Sequence, residues 1–259
     1  MMLKFGIYTS EKASTMVQQF RPVLDALEQG MEQRLGQPVT ITTIVSPTYE
    51  DGRKKLTTGQ VDLARMGPAS YVLAKLENHD LSLLVFENDG GDKWLDGVIA
   101  VRKDSSIQQI SDLRGKSFAF GDESSTIGRY LAQYAMMENG VLARDLSQYT
   151  YLGRHDLVGQ AVLHETYDAG AMKEDVYNKL VAAGKPLRAI ARLPNITGPW
   201  AARADMDPIV RQAIIDSLLE LKDPKVLNTM RKNGFLPGTD DDLVHVRRTI
   251  ENNARFFLP

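Results

Sequence analysis

The sequence predicts an α/β protein of two lobes, each a mostly parallel sheet flanked by helices, joined by two crossing strands. Strand-like and helix-like segments alternate over the first hundred residues, and the same alternation starts again in the second hundred. Strand-like stretches with adjacent turn residues, 94–102 and 193–203, mark two crossings between lobes. We therefore expect residues 1–97 and 200–259 in lobe 1, the inserted residues 98–199 in lobe 2, and a ligand cleft between them.

The elements of lobe 1 follow from the hydrophobic pattern. Apolar residues that recur every three or four positions predict a helix, and short apolar or β-branched runs predict a strand. The first helix has the clearest stripe, from Met16 to Leu35, and Gly36 and Pro38 end it. The predicted order is strand 3–8, helix 16–35, strand 39–45, helix 49–59, strand 61–66, helix 67–76 and strands 81–86 and 98–101.

The elements of lobe 2 and of the C-terminal tail follow in the same way. A turn-rich connector over 107–115 precedes strand 117–120, helix 125–139, strand 149–152, helix 155–164, strand 168–171, helix 173–183 and strands 187–193 and 200–203. The tail is predicted to be helical over 208–221, 224–233 and 240–253, with Thr239 as the N-cap of the last helix.

Composition excludes several classes of protein. Apolar residues make up 43% and charged residues 25%, which is typical of a globular protein and not of a disordered or fibrous one. The 31 basic and 33 acidic residues leave a formal net charge of -2, so the basic excess of a nucleic-acid binder is missing. No cysteine is present, which excludes disulfides, thiol catalysis and zinc–thiolate sites.

Targeting signals and membrane spans are not evident in the sequence. No apolar stretch is long enough to cross a bilayer. The N-terminus runs directly into a strand-like segment with no leader pattern before it. The protein is therefore expected either to be cytosolic or to be exported with its leader removed.

Motifs for catalysis, cofactors and metals were sought without a match. Gly115-Lys116-Ser117 resembles the end of a phosphate-cradling loop, but Ile110 stands where that loop needs glycine. The four histidines lack metal-ligand spacing. We predict no catalytic residue, no metal and no cofactor.

The segment from Phe118 to Gly128 carries the most information about function. It reads as a strand, a tight turn and a helix start that contains Ser124, Ser125 and Thr126. Free backbone N–H groups and the positive end of the helix dipole meet these hydroxyls, which together favour an oxyanion. The alternative is that Ser124 or Ser125 only caps the helix.

Together with this segment, further short sequence motifs form a pattern of characteristic order and spacing over about residues 3–222. They are Tyr49, Leu56, Gly59, Val61-Asp62-Leu63-Ala64, Gly67-Pro68, Tyr71, Asp112-Leu113-Arg114-Gly115-Lys116, Gly153-Arg154-His155-Asp156, Ala161-Val162 and Asp168. Together the pieces resemble the phosphate/phosphite/phosphonate-binding proteins of ABC transporters, periplasmic binding proteins with the type II fold. That family has S-T-S-G opening the helix, where this chain has Ser125-Thr126-Ile127-Gly128.

The resemblance implies a set of ligand-binding residues. The hydroxyls and amides of the helix start would hold the oxyanion, a cleft histidine would face it, an early tyrosine would shape the pocket, and an acid would hold a ligand's amino group. In this chain the corresponding residues are Ser124, Ser125, Thr126, His155, Tyr49 and Asp175. We expect His155, beside an oxyanion, to favour its protonated form.

Two departures bear on the ligand. A second acid of the family lies in a P-N-D-P turn, where this chain has Asn195-Ile196-Thr197-Gly198-Pro199 and no acid. The second departure is near the first crossing, where the aromatic residue of this chain is Trp94 and not the tyrosine of the family. A small inorganic oxyanion is therefore favoured at least as much as an aminophosphonate.

The resemblance implies a monomeric, periplasmic solute-binding protein that closes on a small phosphorus oxyanion by hinge motion and delivers it to an ABC transporter permease. A sensor that presents ligand occupancy to a histidine kinase is an open alternative. An enzyme on the same fold is a second one, with His155 and Asp175 as its acid–base pair.

Overall fold

The structure, a computed structural model, describes residues 1–10 and 12–258. In chain order its strands and helices are β1 (Met2–Tyr8), α1 (Ala13–Leu35), β2 (Thr40–Ser46), α2 (Tyr49–Thr57), β3 (Leu63–Arg65), α3 (Pro68–Glu77), β4 (Ser82–Glu87), β5 (Trp94–Arg102), β6 (Ser117–Phe120), α4 (Ala132–Glu138), β7 (Gln148–Tyr151), α5 (His155–Leu163), β8 (Ala169–Lys173), α6 (Glu174–Ala182), β9 (Leu187–Ile196), β10 (Pro199–Ala202), α7 (Pro208–Glu220), α8 (Pro224–Leu227), β11 (Phe235–Leu236) and α9 (Val244–Glu251). A π-helical turn, Thr126–Leu131, runs directly into α4. Short 3-10 segments are Ile110–Leu113, Ala143–Asp145, Asn228–Met230, Asp240–Leu243 and Asn253–Phe257.

The first unit comprises Met1–Trp94 and Ile196–Leu243. Its sheet has the order β11-β4-β10-β3-β1-β2, in which β1 is parallel to β2 and β3 and only β10 and β11 are antiparallel to their neighbours. The apolar stripe of α1 covers this sheet, with Phe20 against Phe5 and Trp200. Trp200 is fully buried and stacks on Phe5 with 4.8 Å between ring centroids.

The second unit comprises Leu95–Asn195 and the chain from Val244 onward. Its sheet has the order β7-β6-β8-β5-β9, with β6 parallel to β7 and β8, and β5 antiparallel to β8. Because parallel strands end at the same edge of a sheet, the loops that follow β6, β7 and β8 begin side by side. This edge carries most of the predicted site residues.

The C-terminal segment differs from the prediction, which placed residues 200–259 in lobe 1. From Val244 onward the chain belongs to the second unit. The physical reason is the fully buried Phe256, which joins the apolar cluster of that unit and packs edge-on against Phe120 at 6.0 Å. The unit boundaries, at Trp94/Leu95 and Asn195/Ile196, lie three to four residues before the predicted ones.

Three helices also differ from the prediction in their ends. The helix predicted from Ser125 begins as the π-helical turn. The predicted helix 224–233 stops after α8 and a 3-10 turn, because Arg231 adopts a left-handed conformation with φ 54° and leads into the unpredicted strand β11. The predicted helix 240–253 begins as a 3-10 segment and becomes α-helical at Val244. In the part of the chain described, no helix is both long and apolar enough to traverse a bilayer.

Candidate functional site

The carboxyl edge of the second sheet brings three helix starts together. Phe120 at the end of β6 is paired in register with Tyr151 at the end of β7, and β8 ends at Lys173. The helical segments that follow begin at Thr126, His155 and Glu174. Three sets of backbone N–H groups therefore start at one edge, which is the arrangement that attracts an anion.

Two glycines shape the turn between β6 and the first of these helical segments. The Gly121 amide donates a hydrogen bond to the Gly128 carbonyl at 2.9 Å. A Cβ atom on Gly128 would lie 2.8 Å from the Gly121 Cα atom, so the two backbones touch directly. This contact closes the segment Asp122 to Ile127, whose last two residues already belong to the π-helical turn.

Ser125 is the N-cap of this helical segment. Its side-chain oxygen accepts a hydrogen bond from the Gly128 amide at 2.9 Å, so the capping interaction considered from the sequence is present. A hydroxyl that accepts one bond keeps its own hydrogen for another partner. Capping and anion binding are therefore compatible, and Ser125 and Thr126, consecutive residues at the helix start, are both buried.

Ser124 lies on the same turn and is only partly buried. Its amide donates to an Asp122 carboxylate oxygen at 2.7 Å, and the Ser125 amide donates to the Asp122 carbonyl at 2.9 Å. Asp122 therefore stabilises the turn. The amides of Ser124 and Ser125 are already hydrogen-bonded to it within the protein.

Ile127, which replaces the second serine of the family pattern, points into the core. Its side chain belongs to the apolar cluster of the second unit and packs on Gly97 of β5, where a Cβ atom would lie 2.3 Å from the Ile127 Cγ2 atom. Where the family pattern has a third hydroxyl, this chain therefore has an apolar side chain that packs against β5.

His155 begins α5 and is 2% exposed. Burial lowers the pKa of His155 well below its usual value of 6.5, and the nearby Lys173 ammonium lowers it further. A hydrogen bond to the Ala171 backbone offsets these effects only in part. Burial and the Lys173 charge therefore favour the neutral imidazole, whereas the expected effect of a neighbouring oxyanion on His155 stays a prediction.

A neutral buried histidine makes the stability of the protein depend on pH. Because the folded-state pKa lies below the unfolded one, the unfolded chain binds a proton first below about pH 6.5. The free energy of unfolding should therefore fall as the pH is lowered, by up to about 1.4 kcal/mol per pH unit from this one group. Urea unfolding between about pH 5 and 7 should show this slope in wild type and a smaller one in His155→Gln.

The matched control for this experiment is His164→Gln, which alters an exposed histidine at the other end of α5. It should leave the slope unchanged. Equal slopes in wild type and in His155→Gln would contradict a neutral His155.

A buried polar network ties the helix start to the C-terminal segment. Arg129 donates to the Glu123 carbonyl at 2.7 Å and to the Asn253 side-chain oxygen at 2.9 Å. The Asn253 amide donates to Gln133 at 2.7 Å, and Gln133 donates to the Tyr151 hydroxyl at 2.8 Å. The C-terminal segment therefore helps to hold the loop that carries the hydroxyls, a role that sequence reasoning did not predict.

The remaining predicted site residues differ in burial and in the unit to which they belong. Tyr49 belongs to the first unit, where its buried ring stacks on Tyr8 with 4.0 Å between centroids. Asp175 is exposed in the first turn of α6, and Trp94 is 52% exposed. Thr197, in the turn where the family has an acid, donates its hydroxyl to the Glu87 carbonyl at 2.6 Å.

Sequence reasoning missed Lys173. It ends β8, directly before α6, and its ammonium is close enough to His155 to lower that pKa. The available signal was its position: a basic residue at the carboxyl end of a parallel strand, next to a helix start.

The fold is that of the type II periplasmic binding proteins. The solved structure of PhnD1 from Prochlorococcus marinus in complex with methylphosphonate is similar over 97% of each chain, with a TM-score of 0.83 and 19% identity. The family of ABC transporter phosphonate periplasmic substrate-binding proteins matches residues 5–243. The chain belongs to this family, as the sequence motifs predicted.

Two curated relatives share part of the sequence. The probable phosphite-binding protein PhnD1 of Prochlorococcus marinus strain MIT 9301 is 30% identical over 128 residues, which are 46% of this chain and 42% of that protein. The phosphate-import protein PhnD of Mycolicibacterium smegmatis is 27% identical over 165 residues, 60% of this chain and 51% of that protein. The chain thus spans about half the length of the relatives it matches.

Proposed function

We propose that this chain is the substrate-binding component of an ABC importer for a small phosphorus oxyanion: phosphate, phosphite or a phosphonate. The observation that carries the proposal is the buried pair Ser125 and Thr126 at a helix start, on the same sheet edge as the buried imidazole of His155. Family membership supports it, and so do the phosphite and phosphate named for the two relatives.

The site suits an anion for electrostatic reasons. Backbone N–H groups at a helix start carry partial positive charge, and Lys173 adds a full charge at the same edge of the sheet. A hydrogen bond from a hydroxyl group to a charged oxygen is stronger than a hydrogen bond between two neutral groups. A tetrahedral anion with several oxygens can engage the Ser125 hydroxyl, the Thr126 hydroxyl and backbone amides together.

This set of residues suits a protein that binds its ligand without catalysing a reaction. An acid–base mechanism would need His155 and Asp175 to work as a pair, yet Asp175 is exposed while the His155 Nδ1 atom is buried and makes no hydrogen bond to any described residue. We propose that the protein passes its ligand unchanged to a permease, that it works in the periplasm as a monomer, and that it does not bind nucleic acid. Hinge closure stays a prediction of the sequence, and no observation favours a sensor.

The ligand class can be tested by thermal unfolding with phosphate, phosphite, methylphosphonate, aminoethylphosphonate and sulfate. A ligand at one hundred times its dissociation constant should stabilise the folded state by about 2.7 kcal/mol. If no tetrahedral anion raises the unfolding midpoint, the proposed function fails.

The hydroxyls themselves are tested by Thr126→Val, which keeps the shape of the side chain and deletes its hydroxyl. A hydrogen bond to a charged group contributes about 1.5–3 kcal/mol, so affinity for the best anion should fall roughly 10- to 100-fold. Ser125→Ala should weaken binding similarly and should also lower stability by about 1 kcal/mol, because the bond from the Gly128 amide is lost. Calorimetric titration and urea unfolding measure the two effects separately.

The control is Thr42→Val on the exposed surface of β2 in the first unit, which should leave affinity unchanged. Lower stability with wild-type affinity in both site variants would leave a capped helix and no anion site.

A further inference from the structure

The C-terminal segment, residues 244–258, is hydrogen-bonded to the turn of residues 121–128, which carries the two site hydroxyls. The link is Arg129, which directly follows this turn. Its Nη2 atom donates to the side-chain oxygen of Asn253 at 2.9 Å, and its Nη1 atom donates to the Glu123 carbonyl, within the turn, at 2.7 Å. One guanidinium therefore ties the turn to a residue 124 positions away in sequence.

The hydrogen bonds of this link all run in one direction. A guanidinium only donates, so the oxygen of Asn253 must face Arg129. The Asn253 amide group then donates to the Gln133 oxygen at 2.7 Å, and Gln133 donates to the Tyr151 hydroxyl at 2.8 Å. Gln133 is fully buried and Asn253 is 5% exposed. A broken bond in this series would therefore leave a polar group without water to replace its partner.

Aromatic rings hold the Arg129 guanidinium from the side. Its central carbon lies 5.7 Å from the ring centroid of Tyr151 and 5.9 Å from that of Phe257, which belongs to the C-terminal segment. The neighbouring Phe256 packs edge-on against Phe120, the last residue of β6 before the turn. The C-terminal segment thus contacts the chain on both sides of the turn.

Arg129 depends on Asn253 for half of its hydrogen bonds. Among the described residues it has two acceptors, the Glu123 carbonyl and the Asn253 oxygen, and its buried Nε atom has no partner. A substitution that removes the Asn253 oxygen leaves the guanidinium with the Glu123 carbonyl alone. Because buried polar groups need partners, we expect Arg129 and the turn bonded to it to shift.

We propose that Asn253 is a positioning residue of the anion site, and that through Arg129 the C-terminal segment and a bound anion stabilise each other. Position matters, because binding groups displaced by about 1 Å lose most of their effect. Coupling between two parts of a protein is reciprocal. If the packed segment strengthens anion binding, a bound anion must make the segment harder to detach. The inference rests on the proposed function and adds a second part of the chain to its site.

Asn253→Leu keeps the approximate size of the side chain and removes both of its hydrogen bonds. The turn then loses its link to the C-terminal segment, and we expect affinity for the anion to fall roughly 5- to 30-fold. Calorimetric titration of wild type and variant with each anion of the thermal screen measures this fall.

The matched control is Thr249→Val in the same segment. Thr249 lies on α9, is fully buried, and donates its hydroxyl to the Val246 carbonyl at 2.7 Å. The substitution deletes a buried hydrogen bond of the segment but none that involves Arg129. It should leave anion affinity unchanged even if it lowers stability.

Hydrogen exchange of the wild-type protein tests the reciprocal effect without any substitution. Local opening of the C-terminal segment exposes its backbone amides, such as that of Asn252, which donates to the Arg248 carbonyl at 3.1 Å. A saturating anion should slow exchange in this segment by a factor similar to the loss of affinity in Asn253→Leu. The slowing should persist in Thr249→Val and disappear in Asn253→Leu.

The outcomes separate the inference from the proposed function. Wild-type affinity in Asn253→Leu, or an equal loss in Thr249→Val, overturns the role of Asn253 and leaves the anion site standing. Exchange in the wild-type segment that a bound anion does not slow also overturns it, and this measurement decides the question if Asn253→Leu fails to fold. If none of the anions of the thermal screen binds to the wild type, the inference and the proposed function fail together.

Discussion

Replacing Glu87 with alanine should lower the free energy of unfolding by about 3–5 kcal/mol, because it leaves a buried guanidinium without its counter-charge. Glu87 is 2% exposed and accepts hydrogen bonds from the Nε and Nη2 atoms of Arg65, both at 2.8 Å. Burial lowers the pKa of Arg65, but the Glu87 carboxylate outweighs this effect and raises it. The pair lies in the first unit, where Gly198 leaves room for the guanidinium: a Cβ atom there would lie 2.5 Å from Nη2.

The matched control is Asp104→Ala. Asp104 also accepts a bidentate pair, from Arg102 at 2.9 and 2.6 Å, but its side chain is 66% exposed. Its removal should cost less than about 1 kcal/mol. The double variant Arg65→Met/Glu87→Met should recover most of the stability lost in Glu87→Ala, because an apolar pair of similar volume removes both charges.

Urea unfolding of the four proteins at one pH gives the comparison, provided that the dependence on denaturant is unchanged. A Glu87→Ala variant as stable as Asp104→Ala would mean that Arg65 finds water or another partner.

Gly128→Ala should abolish anion binding and lower the free energy of unfolding by about 3 kcal/mol, near the upper end for an overpacked site. The added Cβ atom would lie 2.8 Å from the Gly121 Cα atom and 2.9 Å from its nitrogen. Both contacts are with backbone, so no side-chain rotation relieves them. The turn that carries Ser125 and Thr126 must move instead, and binding groups displaced by about 1 Å lose most of their effect.

Gly97→Ala provides the matched comparison on the other side of the same helix. Its Cβ atom would meet the Ile127 side chain at 2.3 Å, so the double variant Gly97→Ala/Ile127→Ala should regain stability and binding. Trimming Ile127 should not rescue Gly128→Ala. Thermal unfolding and calorimetric titration report both properties, and normal binding by Gly128→Ala would show that the turn does not hold the anion.

Local pattern was enough to predict most elements and the family. The apolar stripe from Met16 to Leu35 became α1, and the strand before Gly121 became β6, because periodicity and turn residues act over a few positions. The two-lobed α/β fold class and the family are confirmed, since they depend on the order and spacing of motifs. The same spacing predicted Ser125, Thr126 and His155, which lie at one edge of the second sheet.

The sequence by itself therefore determined the fold class, the family and the helix start with its hydroxyls, because each depends on short local motifs and on their order along the chain. Only the tertiary structure decided that the chain after Val244 joins the second unit, since this depends on Phe256 packing against Phe120. Only the tertiary structure decided the direction in which the pKa of His155 shifts, since burial and the Lys173 charge, which both lower it, act through space. Contacts between residues far apart in sequence set a group's electrostatic environment, and a one-dimensional pattern does not contain them.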